Sequence, residues 1–148
     1  MIITSPSFDD NAHIPIKFTC DGGDFNPELT IQNVPAEAKS LALILHDPDA
    51  PLSGGFTHWV VWNIDPQTVT IKEESTPPGS MEGINGSGIV GYMGPCPPSG
   101  AHHYIFSLYA LDDVLDLPEE TTAKVLEKEM VDHIVAKAEI IGLYQRHE

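Results

Sequence analysis

Three short polar stretches, each at the mouth of an apolar run, hold the side chains that could do chemistry: "HDPDAP" (46–51), "THW" (57–59) and "GAHHY" (100–104). Asp47, Asp49, His58, His102, His103 and Tyr104 bring carboxylates, imidazoles and a phenol. If the flanking runs share a sheet, these groups meet at one rim. A phosphoryl group or other small anion needs donors. His58 and His102 offer ring N–H groups, a charged ring adds Coulomb attraction, and Tyr104 offers its hydroxyl. Asp47 or Asp49 then accepts from a histidine and supports its charge, or takes a ligand's ammonium. Taken singly, each residue has a plainer reading: Asp before Pro makes turns, and a strand-end histidine caps an apolar run. Their combination beside Pro-rich loops is what points to a binding site.

The same residues admit an enzyme as the alternative. Asp47, His58 and His102 have the types of a two-histidine, one-carboxylate metal site or of an acid–base set. Spacing argues against metal, because the one close pair, His102–His103, points to opposite faces of a strand. No G-x-S-x-G occurs, and Cys96 is the one unusual nucleophile candidate. The reading favoured is non-enzymatic binding, with no catalytic residue, metal or cofactor.

The elements that must position these groups are mostly strands. "SLALILH" (40–46) and "HWVVWNI" (58–64) are apolar on both faces, as central strands are. In the second, Trp59, Val61 and Asn63 oppose Val60, Trp62 and Ile64. "HYIFSLYALD" (103–112), "LTIQNV" (29–34) and "IPIKFTC" (14–20) alternate with period two, and "TVTIKE" (68–73) reads as a short edge strand. Such runs divided by turn residues predict a sandwich or barrel. Residues 117–142 predict a helix, bent or in two pieces, started by Pro118 and first-turn acids and stopped at Gly142. "LYQRH" (143–147) is expected to return as a last short strand. The segment "GYMGPCPPSG" (91–100) reads as a fixed irregular wall, since Gly permits close approach and Pro fixes φ.

With 148 residues the chain suits a single domain, 1–148. It carries 22 acidic against 7 basic residues, a net −15, so nucleic acid and anionic membranes are repelled. Any bound anion must be held by local donors such as histidines and backbone N–H groups of the Gly-rich wall. No apolar run nears the roughly 18 residues of a membrane span, and "MIITSPSFDD" does not read as a secretory signal, so the expected compartment is the cytoplasm. There Cys20 and Cys96 are expected as free thiols, with a reversible bridge left open.

The segments "CDGGDFNPELTIQNVP", "LILHDPDAP", "FTHWVVWNI" and "GYMGPCPPSGAHHYIFSLYALD" together resemble the phosphatidylethanolamine-binding protein family, also called Raf-kinase-inhibitor-like, in its bacterial and archaeal branch. The resemblance covers nearly the whole chain. It implies a mainly β fold, a Greek-key β-sandwich with one or two helices near the C-terminus. It also implies a small pocket at one end of the sheet for anions such as phosphate or a phosphoryl headgroup. By motif, the ligand-binding places fall on Asp47, Asp49, His58, Gly94, Pro95, His102 and Tyr104. A cis peptide is implied at Ala50–Pro51, as are a homodimer and a protein target such as a kinase or protease. One position departs: the arginine of the family's Gly-x-His-Arg-Tyr pattern is His103 here.

Overall fold

The computed structural model describes residues 1–146. Among them the chain forms strands β1 (Ile2–Thr4), β2 (Ala12–His13), β3 (Leu29–Gln32), β4 (Ser40–Asp47), β5 (Phe56–Ile64), β6 (Thr70–Ile71), β7 (Met81–Glu82), β8 (His102–Leu111) and β9 (Ile134–Tyr144), with helix α1 (Ala123–Met130). They make a three-stranded sheet, β1-β3-β6, and a six-stranded sheet, β2-β9-β8-β4-β5-β7. Strands β4, β5, β8 and β9 are mutually antiparallel along their ladder. The mainly β expectation holds, and pairing of β4 with the distant β8 is consistent with Greek-key connectivity.

The two-sided apolarity of β4 and β5 has a direct cause. On one face, Leu41, Leu43, Leu45, Trp59 and Val61 meet Ile3, Leu29, Ile31 and Ile71 of the small sheet. On the other, Ala42, Ile44, Val60 and Trp62 meet Ala123, Leu126 and Met130 of α1. Both faces are therefore removed from water, and each buried Leu, Val or Ile contributes about 1.5–3 kcal/mol by transfer. Helix α1 is capped by Thr122, whose side chain accepts from the Val125 N–H.

Four sequence expectations are corrected. The helix is shorter than 117–142: Pro118 starts a turn, closed by the Thr121 N–H on its carbonyl, and the helix begins at Ala123. Its second half is strand β9, which pairs with β8 from Leu111↔Ile134 to His102↔Tyr144. The far edge of β8 needs those hydrogen bonds, and Ile134, Val135, Ile140 and Ile141 suit a strand. Of "LYQRH", Leu143 and Tyr144 end β9, and His147 lies outside the described residues. "IPIKFTC" is a short 3-10 turn, Ile16–Phe18, instead of a strand. Ile14 still donates to the Leu143 carbonyl, then Pro15, lacking an N–H, ends the pairing and the chain curls.

The last correction concerns β5. Leu43 pairs with Val61 but Leu41 with Ile64, so an extra residue is accommodated there. Asn63 takes φ +55° and clamps Leu115 with both atoms of its amide. The slip puts Ile64 on the face of Trp59 and Val61, not on that of Val60 and Trp62.

Candidate functional site

The three polar stretches converge because neighbouring antiparallel strands bring the end of β4 beside the starts of β5 and β8. Asp47 pairs with Phe56, and His46 with Thr57 on one side and Ile105 on the other. Asp47 keeps the parity of Leu43 and Leu45, and His102 and Tyr104 that of Phe106 and Leu108, so all three face the inter-sheet side. His58 reaches them by a second irregularity. Leu45 opposes Trp59 while His46 opposes Thr57, leaving His58 as the extra residue of a bulge. Its ring centroid lies 5.3 Å from Tyr104 and 4.9 Å from Phe56, both edge-on.

These side chains line a cavity of about 340 Å³. Asp47, His58, His102 and Tyr104 form its polar part, and Ala50, Pro51, Leu52, Phe56, Ser87, Met93, Cys96, Pro97 and Pro98 the rest. Asp47, 3% exposed, accepts from the His102 Nδ1 at 2.7 Å and from the Asp49 N–H at 2.8 Å. His58 Nδ1 lies 2.7 Å from the Met93 carbonyl, to which it donates. Burial holds the His58 ring below its usual pKa of 6.5, against the opposing pull of the Met93 carbonyl and the Asp47 charge. The Tyr104 hydroxyl is buried and makes no hydrogen bond of regular geometry among the described residues, and burial, followed by the Asp47 charge and the approach of that carboxylate to the hydroxyl, pushes its pKa upward.

Three of the expected residues stand elsewhere. Asp49 does not line the cavity. Its Oδ2 accepts from both the backbone N–H and the ring Nδ1 of His103, each at 2.7 Å, at the exposed rim. Those two bonds hold the Asp49 carboxyl below its usual 3.8. Gly94 and Pro95 lie behind the lining. The Gly94 N–H donates to Asp24 Oδ1 at 2.7 Å, and a Cβ there would collide with that carboxylate and the Phe18 carbonyl. The Pro95 carbonyl accepts from the Cys20 N–H. The expected backbone donors of this wall are thus absent at both positions: one is spent on Asp24, and Pro has none.

The wall is fastened instead. The Tyr92 hydroxyl donates to the Phe18 carbonyl at 2.6 Å, and Cys20 and Cys96 form a disulfide across Cα atoms 5.5 Å apart. The expectation of free thiols is corrected: the curl at 16–20 that replaces a strand brings Cys20 against the wall. Cys96 is therefore no nucleophile in this state. The Ala50–Pro51 peptide is trans, like every peptide among the described residues, against the cis expectation. The bend is made by Leu52 N–H on the Ala50 carbonyl and by Gly54 and Gly55 at φ +81° and +79°. His46 faces away from the cavity and ties this loop through Nε2 on the Gly54 carbonyl at 2.8 Å. Sequence reasoning passed over Phe56, Met93 and the two prolines after Cys96; the run "CPP" and the aromatic two places before His58 were the available signals.

Among the described residues, no three His, Cys, Asp or Glu side chains are grouped as metal ligands. No helix among them is long and apolar enough to cross a membrane.

Comparison with known proteins follows the same outline. The model of a family described as "Phosphatidylethanolamine-binding protein" matches residues 4–145. A UPF0098 protein of Methanothermobacter thermautotrophicus is 47% identical over 151 residues, covering 99% of both chains. The crystal structure of a phosphatidylethanolamine-binding protein homolog from Chlamydia trachomatis superposes with a TM-score of 0.94 at 40% identity, over 99% of this chain and 97% of that one. YbcL of E. coli, described as a member of the mammalian PEBP family, gives 0.92 at 29% identity over 98% of each.

Proposed function

Since the chain belongs to the phosphatidylethanolamine-binding protein family, we propose that its cavity binds a small anion or phosphoryl group and releases it unchanged. The observation that supports this reading is the convergence of Asp47, His58, His102 and Tyr104 from three adjacent strands on one cavity of about 340 Å³. Its size and mixed lining suit a small ligand with a few fixed polar contacts. The enzyme alternative has less behind it, because Cys96 is bridged and both ring Nδ1 atoms are committed to the protein. Asp49, Gly94 and Pro95 act on the ligand only by holding the rim and the wall.

Calorimetric titration with phosphate and phosphoethanolamine tests the reading. Binding at millimolar ligand or below is expected, weakened about tenfold or more in His58→Ala. Absence of binding by the native protein sinks it.

Further parts of the proposal rest on the resemblance and on the net −15, which suits a basic partner patch. They are action on a kinase or protease, tested by pulldown with and without phosphate, and a homodimer, tested by sedimentation. A cytoplasmic location is proposed with them. It opposes the Cys20–Cys96 bridge, which oxidising compartments favour. Thiol alkylation in freshly lysed cells decides between the two.

A further inference from the structure

We infer that the cavity selects anions that carry a hydrogen of their own, and that His58 determines this specificity. The inference rests on the anion-binding reading above and deepens it. His58 Nδ1 faces the Met93 carbonyl at 2.7 Å, and a carbonyl can only accept, so Nδ1 carries the ring's hydrogen. A neutral His58 then turns a lone pair, at Nε2, toward the cavity its ring lines. His102 repeats the pattern, with Nδ1 given to Asp47 Oδ2 at 2.7 Å. The His58 ring therefore presents no N–H to a ligand unless it takes up a second proton.

The rest of the lining is mixed, and its Ser87 hydroxyl is turned to Met93 Sδ at 3.1 Å. Asp47 only accepts. Pro97 and Pro98 have no N–H, and the Gly94 N–H behind them belongs to Asp24. The buried Tyr104 hydroxyl is one donor at the site, with the Asp47 carboxylate as its nearest competing acceptor. At His58, then, an anion meets an acceptor. A bare oxyanion such as sulfate meets the His58 lone pair with a lone pair. Phosphate, which keeps a P–OH, donates to it. A site that hydrogen-bonds a ligand hydroxyl rejects the analogue without one.

The groups that bear on a second proton at His58 are Asp47 and His46 from β4, Tyr104 and His102 from β8, and the Met93 and Gly94 carbonyls of the wall. Asp47 and the carbonyls favour that proton; His46 and burial oppose it, and burial is the largest influence. Acid conditions supply the proton, turn Nε2 into a donor and erase the selection.

The test is calorimetric titration of the intact chain with inorganic phosphate and with sulfate, at about pH 7.5 and about pH 5. At the higher pH phosphate is expected to bind at least about tenfold more tightly than sulfate. At the lower pH sulfate gains and the ratio closes toward unity. Equal affinities at the higher pH overturn the inference, as does a ratio that ignores pH. No binding of phosphate at either pH overturns the anion-binding reading and this inference with it. His58→Gln, whose amide can donate, is expected to bring the ratio near one at both pH values; if it does not fold, the native comparison stands alone. Two headgroup probes separate the source of the hydrogen. Glycerophosphoethanolamine bound in preference to glycerophosphocholine extends the rule to an ammonium donor, and equal binding of the two counts against it.

Discussion

Two aspartate–histidine pairs, made by aspartates two residues apart and by adjacent histidines, join the same two segments at the same distance. Asp47 Oδ2 and His102 Nδ1 are 2.7 Å apart, and so are Asp49 Oδ2 and His103 Nδ1. The side chains of the first pair are 4% and 8% exposed, those of the second 39% and 53%. Strand alternation is the reason: His102 points inward with Tyr104, and His103 points out. Equal distances therefore have unequal consequences. The inner pair sets how a buried ring meets the cavity. The outer pair fastens a loop in water, where ion pairs contribute little.

The largest expected break in this comparison comes from Asp47→Ala. It leaves the His102 ring and the Asp49 N–H without their acceptor in a buried place, and should cost about 3 kcal/mol in urea unfolding. Asp49→Ala should cost under about 1 kcal/mol in the same measurement. Equal losses would mean that burial does not separate the pairs.

The next contrast is in pH. His58 is held below its usual 6.5 when folded, so the unfolded chain takes the proton first as pH falls. Its contribution to stability is complete above about 6.5 and is lost as pH falls through the lower folded value. Asp49, held below 3.8, contributes above that value and loses its share at more acid pH. Both slopes have the same sign but occupy separate windows. In urea midpoints followed against pH, His58→Gln should flatten the upper window, and Asp49→Asn the lower.

The smallest effect is expected from His103→Arg, which restores the arginine of the family pattern. The backbone N–H of His103 would keep its hold on Asp49, and stability should move by less than about 0.5 kcal/mol. Urea midpoints of the two chains at low and high salt measure this. A larger gain, persisting in high salt, would show the rim pair to be more than a screened surface contact.

The members of the inner pair, though not their pairing, were legible in the sequence because they sit at the ends of long regular strands. Once "SLALILH" and "HYIFSLYALD" are strands, parity alone puts Asp47, His102 and Tyr104 on one face. What parity cannot reach is a change of register. His58 alternates with Val60 and Trp62, which face α1, and only the bulge opposite His46 turns it toward Tyr104. That depends on how β4 and β5 pair. The same limit explains Ile64, displaced by the irregularity at Asn63. Residues 134–142 read as helix for another reason. Ile134, Ala138 and Ile141 fit a helical stripe as well as a strand, and the open edge of β8, a demand made by the fold, decides between them. For Asp49 the motif left two roles open, tying the loop or touching the ligand, because it names a residue without saying which neighbour its side chain serves; here it holds His103.

The Cys20–Cys96 link spans 76 positions. It makes the chain a covalent loop with a tail at each end: β1 and β2 precede the loop, β3 to β7 lie within it, and β8, α1 and β9 follow it. A protease that cuts once between the two cysteines therefore separates no fragment. The nicked chain migrates as one species until a thiol reagent divides it, and the cut site is then read from the two pieces.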